Sequence, residues 1–107
     1  MTITPDQLGQ AALTDVDQTV YTSPSGVRTT IRVIDVCNTT PGTSRLLTCY
    51  LVAPAASPSD GNALAKDFEV NTTVSKGLLT LPPGWRIIAH SDAPGLTMTI
   101  SGAKVTA

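Results

Sequence analysis

His90, the only imidazole in the chain, stands beside Ser91 and Asp92. A base held between a hydroxyl and a carboxylate makes a hydrolytic triad. Adjacent residues of an extended strand point to opposite faces, so these three cannot build that triad among themselves. The expected role of His90 is a hydrogen-bonded surface histidine. The carboxylates Asp35, Asp60, Asp67, Glu69 and Asp92 are scattered. They match neither a calcium loop nor the paired acids of a glycosidase. No Gly-rich phosphate loop precedes a helix. Cys37, Cys49 and His90 fall short of the four ligands of a structural zinc site. No catalytic, metal or cofactor-binding residue is assigned, no cofactor is expected, and the chain reads as a non-enzyme.

Tyr21, Tyr50 and Trp85 could form a sugar-stacking platform. Aromatics in a small domain also serve as core or interface anchors. Cys37 and Cys49 each sit in an apolar run and read as small buried side chains, with a disulfide left open. Asn38-Thr-Thr and Asn71-Thr-Thr match the glycosylation sequon, which is uninformative without secretion.

The elements that must carry these residues are strands. Residues 19–22 form a short strand, and Pro24-Ser25-Gly26 a turn, because Pro presets φ and Gly accepts φ > 0. Val27 to Cys37 reads as the longest strand. Its alternation changes phase near Val33-Ile34, which predicts a β-bulge at Ile34. Residues 38–44 form a turn through Pro41-Gly42. Residues 45–53 return as a strand with Leu47, Cys49 and Leu51 on one face, giving a hairpin. Residues 54–62 are a loop. Residues 63–70 fit either a helical turn or a strand. Short strands follow at 72–75, 78–81 and 85–90, with Lys76-Gly77 as a turn. Residues 96–100 form another, broken at Ser101-Gly102, and 103–107 a tail or short edge strand. Seven or eight short strands at this spacing predict an all-β fold: one antiparallel β-sandwich, jelly-roll-like.

Residues 1–18 read as a polar N-terminal arm, extended or with one helical turn begun at Thr4-Pro5, and residues 19–107 as the body. Removing residues 2–18 is expected to leave the body folded. Ile3, Leu8 and Leu13 are the arm's candidate interface residues. The start lacks the basic and apolar regions of a signal peptide, so synthesis without export is expected. No apolar stretch reaches the roughly 20 residues of a membrane span. The 107 residues carry a net charge of −1, with 14% charged. That is far below the usual ~25%. No basic stripe exists to neutralise phosphates, so neither nucleic acid nor membrane is expected as a partner. A surface this poor in charge suits a permanent assembly.

One segment carries a likeness. Tyr21-Thr22-x-Pro24-x-Gly26 resembles the "YTVPAGK" opening of small virion structural proteins of tailed bacteriophages. Ile31, Ile34, Cys37, Asn38 and Thr39 match the following "I-x-x-I-x-x-CNTS" strand. Leu81-Pro-Pro-Gly84 stands for the "L-x-x-G-D" turn, Ile87 and Ala89 for the next strand, and residues 97–102 for the closing "v-x-v-x-i-S-G". Ser23, Ser25, Val27 and Trp85 depart from the pattern, and Trp85 replaces the usual Asp. The resemblance covers about residues 19–102. It implies a β-sandwich that decorates a capsid or belongs to a tail, with no enzyme activity. The implied partners are the major capsid protein or other virion proteins, the implied state a homotrimer, and the implied location the virion after synthesis in the host cytoplasm. A capsid decoration (cement) protein at capsomer junctions is the first expectation. A tail or fibre-base protein and a carbohydrate-binding adhesion module are the alternatives. Arg28, Arg32, Arg45 and Trp85 are candidate interface residues of the body.

Overall fold

The β-branched run of β3 (Val27–Asn38) fixes the centre of the molecule. Thr29, Ile31, Ile34 and Val36 point inward and are buried, while Arg28, Thr30, Arg32 and Asp35 are exposed. A computed structural model describes residues 2–40 and 42–106, and within them the side chains of residues 7–40, 42–75, 77 and 79–105. The side chain of Ile3, and all of Pro41 and Ala107, lie outside that set.

Two four-stranded antiparallel sheets pack face to face. One runs β1 (Thr2–Leu13), β8 (Leu96–Thr106), β3, β6 (Thr73–Leu81). The other runs β2 (Gln18–Thr22), β7 (Arg86–Ser91), β4 (Arg45–Val52), β5 (Ala63–Val70). The chain changes sheet at every connection except β4 to β5. That order is a jelly-roll β-sandwich, as the strand spacing predicts. Ile31, Ile34, Leu81, Met98 and Ile100 meet Leu47, Cys49, Val70 and Ile87 between the sheets. A smaller cluster of Tyr50, Val52 and Ile88, with Ala63 against it, comes from the other parity of β4 and β7.

Several local expectations are corrected. β3 and β4 are not a hairpin, because they lie in different sheets and face each other across the core. The bulge in β3 falls at Arg32 rather than Ile34: Ile31 pairs with Gly102 and Val33 with Ser101. β1 slips at the same level, between Gln7 and Gly9. Gly102 does not end a strand. A side chain there would collide with the carbonyl oxygen of Thr30, so glycine lets β8 run on between its neighbours. The expected tail is therefore the second half of an interior strand. Gly77 likewise lies within one continuous β6, where a Cβ would sit 3.2 Å from the Arg32 carbonyl oxygen. Residues 63–70 form a strand, and the only helical turn among the described residues is the 3-10 turn Asp60–Asn62.

Residues 2–13 are extended, and the helical turn does not form. They pair with β8 from Thr2–Thr106 to Leu13–Leu96, so arm and body share one sheet. Leu13 is 1% exposed and belongs to the core, which corrects its candidacy as an interface residue.

Candidate interaction surfaces

Of the residues that carry the sequence likeness, Pro24, Gly26 and Asn38 hold turns together, while Ile31, Ile34, Ile87 and Ala89 lie in the core. Pro24 O accepts the Val27 amide, and Gly26 turns the chain at φ 73°. Beneath the turn lies a buried hydroxyl cluster. Tyr21 Oη lies 2.7 Å from Thr29 Oγ1, Ser23 Oγ lies 2.9 Å from the same atom, and Ser23 Oγ donates to Val27 O at 2.7 Å. Ser23 stands where the resembled pattern has valine, and its hydroxyl is used.

Asn38, at the end of β3, is a four-way clamp. Its Nδ2 donates to Thr43 O at 2.7 Å and to Val70 O at 2.9 Å. Its Oδ1 accepts from Thr40 N at 2.8 Å and Thr40 Oγ1 at 2.7 Å. One side chain thus ties the β3–β4 turn to the end of β5, on the opposite sheet. The Asn38 amide is committed to this clamp, so its sequon is a structural motif.

His90 and Ser91 point to opposite sides of β7. His90 Nδ1 lies 2.6 Å from Asp17 Oδ1, and Ser91 Oγ donates to Ala93 O at 2.6 Å inside the structure. Asp92 Oδ1 accepts the Leu46 amide at 3.0 Å. These three residues serve three separate contacts. Among the described residues no group of three or more His, Cys, Asp or Glu side chains could hold a metal. Neither Cys37, exposed near the end of β3, nor Cys49, in the core, is in a disulfide.

Of the candidate interface residues, Arg28 and Arg32 are exposed on the outer face of the first sheet. Arg45 is half-buried and donates from Nε to Pro94 O at 3.0 Å, so it braces the β7–β8 turn. Leu8 and Trp85 are half-buried against the core. Ile3 pairs through its backbone with Val105. The aromatics do not assemble into a platform: Tyr21 and Tyr50 are buried, and Trp85 rests on the core. Burial, then the charge of Asp17, raises the Tyr50 phenol above its ordinary value, with Lys66 opposing and Asp60 and Asp67 adding. Lys66 is raised by its hydrogen bond to, and the charge of, Asp60 at 2.6 Å.

A feature absent from the sequence reading lies between β5 and β6. There the sheets part around an apolar cavity of about 220 Å³, lined by Ile34, Val36, Leu47, Cys49, Leu64, Ala65, Phe68, Val74, Ser75 and Met98. Phe68 is 50% exposed at its mouth. The one available signal was a lone phenylalanine set among Lys66, Asp67 and Glu69. No protein-family model and no curated protein matches this sequence.

Proposed function

We propose that this chain is a structural protein of a tailed-bacteriophage virion, and specifically a capsid decoration protein bound where capsomers meet. The observation that carries this reading is the state of the long sheet edges. β1 and β6 bound the first sheet, and among the described residues each has a strand partner on one side only; β1 carries a bulge at Gln7–Gly9 and lies against β2, which leaves β6 as the bare edge. The sequence of β1 holds one charged residue, Asp6, and that of β6 one, Lys76. Proteins that work alone guard such edges with charge, bulges or covering loops. An edge as poor in charge as β6 suits a chain whose edge is covered in an assembly. Jelly rolls occur among viral capsid and lectin domains, which supports the reading by analogy of fold. The sequence likeness supports it too, since its residues fall in the turns and core strands of the sandwich. Arg28 and Arg32 supply charge on the broad outer face. A homotrimer around a symmetric junction would bury edges and add avidity to each weak contact.

Mixing the protein with purified capsids and, separately, purified tails tests the reading by co-sedimentation. Saturable binding to capsids is expected. Binding to tails alone moves the protein to the tail or fibre base, and binding to neither refutes the virion reading.

A further inference from the structure

The sandwich is closed along one side and open along the other. On the closed side β1 lies against β2: a Cβ at Gly9 would sit 2.6 Å from the Val20 carbonyl oxygen, so glycine allows the contact. On the open side β5 and β6 part. β5 bulges away from β4 at Lys66-Asp67, where Cys49 pairs with Ala65 but Leu47 pairs with Phe68. Asp67 takes φ 48°, and its amide donates to Thr48 Oγ1 at 3.0 Å, so the bulge is held in place. The bulge sets Phe68 at the mouth of the 220 Å³ cavity. Along the same opening, no strand among the described residues pairs with the outer edge of β6. The β5 lip carries exposed Asp67 and Glu69, while Lys66 is held by Asp60.

We infer that this opening seats an extended strand from a partner protein. The strand adds to the β6 edge through backbone hydrogen bonds, as in β-augmentation. Its alternate side chains, which are apolar, enter the cavity beside Phe68 and over Val36 and Val74. A lysine or arginine next to them faces Asp67 and Glu69. Charge selects this occupant over a second copy, because two copies joined through β6 would bring their acidic lips onto the same side. The inference rests on the reading of the chain as an assembly protein, but its test needs no particle.

The probe is a synthetic peptide of alternating valine and threonine with lysine at both ends, beside a counterpart ending in glutamate. Amide NMR shifts and hydrogen exchange are followed on the full chain. The lysine peptide is expected to shift and protect amides of β6. The glutamate peptide should bind roughly tenfold more weakly, the sum of two exposed charge contacts. Phe68→Ser, at a half-exposed position, should weaken the lysine peptide by about tenfold while leaving the remaining spectrum unchanged. Asp67→Asn with Glu69→Gln should erase the preference between the peptides. Shifts confined to other edges, equal binding of both peptides, or no shifts at all overturn the inference. Peptide failure with capsid binding intact removes the strand seat alone; peptide docking without particle binding removes the virion reading alone.

Discussion

Asn38→Ala is expected to destabilise the fold by about 3 kcal/mol. The side chain makes four hydrogen bonds, three of them partly buried and one, to Thr43 O, exposed to solvent. A typical intramolecular hydrogen bond contributes about 1 kcal/mol net. Water readily replaces the exposed bond, so the three shielded ones set the figure at roughly 3 kcal/mol. At about 4 °C per kcal/mol for a domain of this size, Tm should fall by roughly 12 °C. Urea unfolding should show a lower midpoint at unchanged slope, since no new surface is exposed. Thr40→Ala removes only the bond from Thr40 Oγ1, one of the four, and should cost about 1 kcal/mol. Hydrogen exchange should locate the damage at the β3–β4 turn and the end of β5, which the clamp joins. A loss below about 0.5 kcal/mol, the range of an ordinary surface substitution, would refute the clamp.

Three further outcomes follow from the packing and the ionisable groups. Gly102→Ala should cost about 3 kcal/mol or more in urea unfolding, because its Cβ meets the Thr30 carbonyl; Gly26→Ala, strained only by its φ of 73° in open space, should cost about 1–2 kcal/mol, and equal costs would contradict this. The raised Tyr50 phenol contributes stability that is fully present below the ordinary tyrosine value of about 10 and is lost as pH rises through the higher folded value. Alkaline unfolding curves of the wild type and Tyr50→Phe should therefore coincide below that pH and diverge above it; parallel curves throughout would count against the assignment. A thiol reagent should modify exposed Cys37 in the folded protein and buried Cys49 only on unfolding, and fast reaction of both would contradict the burial of Cys49.

Turn chemistry and strand alternation were the legible part of the sequence. Pro24-Ser25-Gly26 and Pro82-Pro83-Gly84 mark turns whose glycines have φ 73° and 85°. In β3 the alternation is clean up to the bulge, with Thr29 and Ile31 buried and Arg28, Thr30 and Arg32 exposed. Glycine was misleading where it serves close approach instead of a turn. Gly77 and Gly102 sit inside strands, beneath the carbonyls of Arg32 and Thr30, and nothing local distinguishes that use. The β3–β4 connection shows the limit of local reading. Six residues can return a strand to its own sheet or carry it across the core, and the choice depends on β6 and β8, which come much later in the chain. The arm was read as separate because its own pattern is polar and weak; its partner, β8, lies at the far end of the sequence. The cavity was invisible for the same reason, since its lining comes from β3, β4, β5, β6 and β8. Asn38 was visible only as a motif member, and its hydrogen bonds supply the reason for that residue type.

The central claim is that this sandwich works as part of a virion shell. A density map of an intact particle carrying the protein tests it most directly. Regular density of this jelly roll is expected at capsomer junctions on the head, with the edge of β6 covered by a neighbour. A particle whose head lacks that density contradicts it, whether or not the tail carries it.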